Sequence, residues 1–530
     1  GYLPGIREFD PLFFQIAPRE ATSMDPRQRL LLQESWKALE DAGQGPHLLK
    51  KNKVGVFVGA EEGDYGRIAP GLGVTSNHNG ILASRLSYFL DLEGPAIAIN
   101  TACSSGLVAM HQACASLRAG DCSMAIAAAA NLILTPEPYV GMSRAGMLSS
   151  DGKCHAFGKE ANGMVPGEAV VSVVLKPLSK ALADGDPVRA VILGSGVNND
   201  GRSNGITAPN ARAQTSLLSE VWEKAQISPS DIDHIVTHGT GTRLGDPVEV
   251  DALTEAFKDA PSADCALTST KTNFGHTFAA SGLVSLVGLV KGIETGTIPA
   301  SLHCEEESDY VDWKNSPFHV NKVTRSWPHK STDARIGGVS SFGMSGTNAH
   351  LLVKGFQSPK VTNSQGPALL VLSAKTEEAL RESIQALRQE LLQATDLIAI
   401  SRTLLEGRHG FDYRCAVVAT DIQDALRALE SVQSVKVVSC KENADTDGLL
   451  TPTADRAALT KIAELYLKGY TLPWERLFDR STRRLSLPTY PFSPEEYWPA
   501  GVSRPAAASD GFRLQLRGDE FYLRDHVVGG

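Results

Sequence analysis

Three side chains in this 530-residue chain stand where their types favour reaction over packing. Cys103 lies in Thr101-Ala102-Cys103-Ser104-Ser105-Gly106, after the apolar run Ala96–Ile99 and before a helical pattern of Leu107, Met110, Cys114 and Leu117. The run reads as a buried strand, so the thiol falls where a strand turns into a helix. Amide N–H groups and the helix dipole favour an anion there, so the thiol pKa is expected to be lowered toward the reactive thiolate. A lone cysteine is more often a core residue. What argues otherwise is a pair of histidines about 135 and 173 residues downstream, a spacing that only a folded site makes meaningful.

His238 follows the apolar run His234–Thr237 and opens His238-Gly239-Thr240-Gly241-Thr242. A histidine at the carboxyl end of a strand projects into the crevice where α/β sheets place ligands. His276 closes Lys271-Thr272-Asn273-Phe274-Gly275-His276, ahead of Ala279-Ala280-Ser281-Gly282 and an apolar helix. Either histidine alone could be a hydrogen-bonded structural residue. One cysteine with one histidine would suggest a thiol hydrolase. Two imidazoles and a nearby lysine suggest something else. Paired N–H donors can hold one carbonyl oxygen and stabilise the enolate formed when a carboxylate leaves the adjacent carbon.

The elements that must position these groups alternate. Asp25-Pro26 starts a helix with Leu32, Ser35, Trp36 and Leu39 on one face, after a proline-punctuated loop over residues 1–24. Strand-like runs follow at 54–58, 96–99, 124–128, 170–175, 188–193 and 234–237, among helical patterns such as 211–225 and 247–257. Such alternation to about residue 355 argues for a layered α/β domain. No short-period repeat is visible. A Gly/Ser/Pro/Asn-rich stretch at 355–367 reads as a linker into a compact unit with strands at 368–372, 413–419 and 434–438 and helices at 376–392, 396–405 and 422–429. Beyond it come a helix at 455–467 and the segment Leu487-Pro488-Thr489-Tyr490-Pro491-Phe492 with Glu496-Tyr497-Trp498. Its prolines forbid helix and central strand, so it should lie as a strap over another surface. Residues 499–511 read as another linker.

Composition excludes several classes. A net charge of −9 with no basic stripe gives no support to nucleic-acid binding. Eight cysteines without a C-x-x-C pair or zinc spacing fit reduced thiols, a cytoplasmic setting and no metal site. The apolar run around 124–134 is too short to span a bilayer, so no membrane is expected.

The runs Thr101–Gly106, Gly163–Glu168 (GMVPGE), Gly194–Gly201 (GSGVNNDG), Asn204–Pro209 (NGITAP), His238–Pro247 (HGTGTRLGDP), Lys271–Gly282 and Gly338–His350 (GVSSFGMSGTNAH) occur in one order across residues 1–355. In that order they resemble the ketosynthase (β-ketoacyl synthase) domains of modular polyketide synthases. The resemblance implies a thiolase-type αβαβα sandwich and a homodimer that works on acyl carrier proteins. It makes Cys103 the acylated nucleophile. His238 and His276 would bind the extender thioester and promote its decarboxylation, and Lys271 would hold His276 and add positive charge. Thr240 and Thr242 would touch the phosphopantetheine arm of a partner carrier protein, no cofactor being bound by the chain itself. The backbone N–H groups of Cys103 and Met344 would form the oxyanion hole.

This chain departs from the pattern in places. The usual Gly-Phe-Gly-Gly gate reads Gly343-Met344-Ser345-Gly346, and Gly158 stands where aspartate is usual. The family begins with a buried strand ahead of the position of Gly1, so a central sheet position is expected to stand open, as in a truncated chain. On the same resemblance, 1–355 is the ketosynthase, 356–440 an α/β linker domain, and 441–500 a linker and strap of the kind that follows an acyltransferase. No Gly-His-Ser-x-Gly acyltransferase elbow occurs, which resembles synthases served by an acyltransferase in trans. Residues 512–530, ending Asp525-His526-Val527-Val528-Gly529-Gly530, resemble the opening of a dehydratase hot-dog domain with His526 as its base. The expected reaction is chain elongation with malonyl by decarboxylative Claisen condensation. The alternatives are a ketosynthase that only passes the acyl chain on, a thiol hydrolase with no use for His276 and Lys271, and an idle docking scaffold.

Overall fold

A computed structural model of the chain describes residues 1–499 except 70–72, 261–263, 329–330, 358–365, 443, 445, 447, 480. His526 and the segment 512–530 therefore lie outside the described residues.

Two sheets form the body. In the first, β1 (Val54–Gly59) lies between β2 (Ala96–Ile99) and β3 (Met124–Asn131), all parallel, and β4 (Ala169–Leu175) adds antiparallel to β3. The second is six-stranded. Its strands are β5 (Ala190–Asn199), β6 (His234–Val236), β7 (Cys265–Thr268), β8 (Phe318–Val320), β9 (Ile336–Phe342) and β10 (Thr347–Gly355), in the order β8-β7-β6-β9-β10-β5. Its run β7-β6-β9-β10 repeats the parallel, parallel, antiparallel pairing of β2-β1-β3-β4. The fold is thus a duplication that no sequence repeat announces.

Alternation along the strands explains the layers. Val54, Val56 and Val58 face outward onto α1 (Pro26–Asp41) and α2 (Asn79–Leu90), with Leu31, Leu32, Trp36, Leu82 and Leu86. Phe57, Ala125, Ala127 and Ala129 face inward onto α3 (Ser105–Ala119) and α6 (Ser281–Thr295), which meet Val339, Leu351 and Val353 of the second sheet on their other side. Beyond that sheet, α4 (Ala211–Ala225) and α5 (Gly245–Ala256) close the fifth layer through Leu217, Val221, Val250 and Leu253. The apolar stretch Phe278–Thr295 is long enough to cross a membrane, yet it is this inner helix and is mostly buried.

Two expectations need correction. β2 is not buried: it is the outer strand of its sheet, with Ile97 45% exposed. No central position of that sheet is open, since β1 and β3 are hydrogen-bonded on both sides; among the described residues its two unpaired edges belong to β2 and β4. Within residues 1–24, read as loop, Pro18–Ser23 is helical and Glu8–Phe9 pairs antiparallel with Glu495–Glu496.

The C-terminal unit has β11 (Ala368–Ala374), β12 (Tyr413–Ala419) and β13 (Val435–Lys436) in one antiparallel sheet, packed by α7 (Glu377–Leu391), α8 (Leu397–Glu406) and α9 (Ile422–Glu430). α10 (Arg456–Leu467) joins the same core through Leu459, Ile462 and Tyr466. The proline-rich strap then crosses back. Tyr490 meets the Phe13 ring at a tilt and Phe492 meets it edge-on, and Tyr497 joins the core around Trp36.

Candidate active site

Cys103 sits four residues past β2 and two before α3 begins. Ala102 takes the left-handed conformation at φ 54°, which turns the chain sharply at a cost of about 1–2 kcal/mol. Neighbours hold that turn in place. The Cys103 carbonyl accepts from Ser341 Oγ at 2.8 Å and Ser281 Oγ at 3.2 Å, while Ser105 Oγ accepts from Thr101 N at 2.9 Å. Two motif glycines allow the inner helices to meet here. A Cβ on Gly106 would stand 2.7 Å from Ala279 O, and one on Gly282 only 2.4 Å from Leu107 Cγ.

The gate loop lies against the Cys103 turn. A Cβ on Gly343 would stand 2.4 Å from Thr101 O, and Gly346 closes the turn at φ 83°. The main-chain N–H groups of Met344 and of Cys103 itself both lie near enough to the thiol to favour its anion. These are the two amides expected to form the oxyanion hole. The thiol itself corrects the expectation of easy ionisation. Burial pushes its pKa up to about 12, helped by the Glu61 carboxylate, and the counteracting Lys271 charge and two amides do not offset the loss of water.

His238 and His276 come together with ring centroids 5.5 Å apart, nearly perpendicular. His276 accepts from Phe278 N at its Nδ1 (3.2 Å), which leaves the ring proton on Nε2, and it stacks on the Phe278 ring. His238 packs against Phe342, and its Nδ1 is buried without a partner among the described residues. Burial, then the nearby Lys271 charge, depresses both pKa values well below the ordinary histidine range. Both rings are therefore neutral N–H donors at pH 7. Lys271 reaches the site from the side, its Nζ donating to His238 O at 2.5 Å. It holds the His238 backbone rather than His276, contrary to the expectation. Burial lowers its pKa, against the attraction of Glu249.

Two carboxylates missed in the sequence shape the histidine turn. Glu249 accepts from His238 N (2.7 Å) and Gly239 N (2.8 Å). Asp246 accepts from Phe157 N (2.8 Å), Thr240 N (3.1 Å), Gly241 N (3.2 Å) and Thr242 N (3.4 Å). Burial raises the two to about 7 and about 6. The signal was available: two acids three apart in the first turns of a helix directly after a Gly/Thr loop are placed to accept that loop's N–H groups. Thr240 Oγ1 and Thr242 Oγ1 lie 3.3 Å apart on the same turn. Beside Thr242, a cavity of about 280 Å³ is lined by Phe157, Gly158, Arg243, Pro247 and Tyr310. A Cβ on Gly158 would make only ordinary contacts of 3.4 Å or more, so space does not demand glycine there.

This arrangement has close counterparts. Residues 1–181 match the β-ketoacyl synthase N-terminal domain, 189–305 its C-terminal domain and 308–418 the ketoacyl-synthetase C-terminal extension. The ketosynthase from module 6 of the bacillaene synthase of Bacillus subtilis 168 superposes with a TM-score of 0.84 at 38% identity, covering 94% of this chain and 91% of that one. The chain belongs to the β-ketoacyl synthase family. This ketosynthase has the thiolase-type fold of its relatives, including the oxazolomycin ketosynthase domain of Streptomyces albus JA3453 (34% identity, TM-score 0.85, 94% of this chain and 88% of that one). It is of the polyketide synthase type. Polyketide synthase ThaG of Burkholderia thailandensis is 44% identical across all of this chain, which matches 10% of that protein. Polyketide synthase PksM of Bacillus subtilis is 42% identical over 94% of this chain and 12% of that protein. The chain spans about a tenth of the length of these curated relatives.

Proposed function

We propose that this ketosynthase elongates a polyketide chain by decarboxylative Claisen condensation. The observation that carries this reading is the pair of neutral imidazoles 5.5 Å apart beside a thiol that two main-chain amides already address. In the first half-reaction Cys103 loses its proton and its sulfur attacks an acyl thioester. The oxyanion rests on the N–H groups of Cys103 and Met344, and the carrier thiol leaves. In the second, malonyl arrives on the phosphopantetheine arm of an acyl carrier protein, alongside Thr240 and Thr242. His238 and His276 donate to its thioester oxygen. The bond to the carboxylate breaks, CO₂ leaves, and the electron pair becomes the enolate. That carbon attacks the acyl–Cys103 carbonyl, and the Cys103 thiolate is released. A thiol hydrolase would use one histidine and leave the other, with Lys271, without a task.

No Gly-His-Ser-x-Gly elbow stands between the α/β unit and the strap, which supports a module whose extender is loaded by a separate acyltransferase, and eight unpaired cysteines support a cytoplasmic setting. The exposed apolar edge of β2 supports a homodimer joined there, since an unpaired strand edge is a template for pairing. The test follows acyl–Cys103 and product by mass spectrometry after an acyl thioester and malonyl carrier protein are supplied. A β-ketoacyl product lost in Cys103→Ala, with acyl loading kept in His276→Ala, is expected. Transfer without carbon gain would instead show a ketosynthase that only passes its chain on.

A further inference from the structure

One carboxyl beside Cys103 has no task in this condensation. β1 and β2 are parallel with Gly59 level with Ile99, and Ala60 N still donates to Ile99 O (3.0 Å), so the chain enters Glu61 directly beyond the strand end that leads to Cys103. The approach is close, since a Cβ on Gly59 would stand 2.5 Å from the Ser105 carbonyl carbon and 2.6 Å from Gly106 N. The Glu61 main chain is held from behind, its carbonyl accepting from Arg27 Nη1 (2.6 Å) and Asn79 Nδ2 (3.3 Å). The Arg27 guanidinium is itself committed to Asp25 through Nε (3.0 Å) and Nη2 (2.8 Å). On the Glu61 side chain, Oε1 is sealed from solvent and no donor among the described residues reaches it, a costly condition for a carboxyl oxygen. After burial, its charge is the strongest influence raising the Cys103 thiol pKa. Burial also raises the Glu61 pKa, and the carboxyl accepts a hydrogen bond in either protonation state.

Resting on the reading of Cys103 as the acyl-bearing nucleophile, we propose that Glu61 selects the acyl chain. Its carboxyl hydrogen-bonds a hydroxyl on the chain close to the thioester and so favours 3-hydroxyacyl substrates over saturated ones. A protein group built to bond a substrate hydroxyl rejects the analogue lacking it, because the group is then left unpaired.

The test loads the full chain with the N-acetylcysteamine thioesters of 3-hydroxybutanoate, both enantiomers, and of butanoate, and follows acyl–Cys103 by mass spectrometry. The wild type should load one hydroxybutanoyl enantiomer about tenfold faster than butanoyl, or more. Glu61→Ala should bring that ratio near one without slowing butanoyl. Glu61→Gln, whose amide also donates and accepts, should keep part of the preference. Equal rates in the wild type, or a preference that survives Glu61→Ala, would overturn the proposal. So would a dimeric wild type turning monomeric in Glu61→Ala, which would place the carboxyl's partner across a subunit interface. No adduct at Cys103 with any thioester would overturn the nucleophile reading and this proposal with it, a result distinct from loading without preference.

Discussion

At Cys103, its own amide, the Met344 amide and the Lys271 charge favour a thiolate, while burial and Glu61 oppose it. Burial wins, because desolvating an anion costs more than two N–H groups and one distant cation return. The resting thiol is therefore protonated, and the thiolate fraction rises tenfold with each pH unit below the pKa of about 12. Alkylation of Cys103 by iodoacetamide, read by peptide mass spectrometry, should climb with unit slope from pH 7 to 9.5 without levelling. A plateau near pH 8 would show an ordinary or activated thiol. The histidines show the same force with useful effect: burial and Lys271 keep both neutral, as N–H donors to a thioester oxygen must be. Not every histidine of the matching motifs is of this kind. His350, at the end of Gly338–His350, accepts from Trp222 Nε1 at 3.1 Å and meets Ser340 Oγ at 3.0 Å, a fully buried pin between β9, β10 and α4.

Among the elements, the contact of α3 with α6 governs the site. α3 carries Cys103 at its N-terminal approach, and α6 supplies Ser281, which holds the Cys103 carbonyl. The helices approach this closely because Gly106 and Gly282 carry no side chain. Gly282→Ala would push against the Leu107 side chain at the core of the molecule. Overpacking of this kind costs about 1–3 kcal/mol. The variant should show a lowered denaturation midpoint and, because the shift falls on the helix behind the nucleophile, slower acylation of Cys103. A lowered midpoint with unchanged acylation would mean that α3 does not transmit the strain to the site.

For the whole molecule, the strap and the C-terminal unit are tied to the ketosynthase body by buried charge. Arg484 of the strap reaches Asp186 of the body and Glu406 of α8, the latter at 2.6 Å, with every partner nearly excluded from water. Lys176 completes the cluster at 2.6 Å from Asp186, and Arg402 lies 3.0 Å from Glu406. Removing Arg484 leaves Asp186 with Lys176 and Glu406 with Arg402, so the loss is that of charged hydrogen bonds rather than of all pairing. Arg484→Met should destabilise the chain by about 2–3 kcal/mol, seen as a lower urea midpoint or as loss of a single cooperative transition. Unchanged unfolding would show that the three segments do not depend on this cluster.

The candidate reactive atoms were legible in the linear chain because chemistry restricts residue type. A thiol before a helix, two histidines in glycine turns and a lysine five residues before one of them marked the candidate site by type and spacing alone. The strap was equally legible, since its prolines permit little but an extended path. Other features depend on groups far apart in sequence that meet only on folding. The Cys103 pKa is set by burial and by Glu61, 42 residues earlier. The carboxylates that hold the histidine turn act through hydrogen bonds that composition does not encode. The exposed edge of β2 follows from strand order, and a short apolar run reads the same at the edge of a sheet as at its centre. The duplicated halves share a pairing pattern rather than residues, because backbone hydrogen bonding dictates strand order while many side chains can fill the same layer.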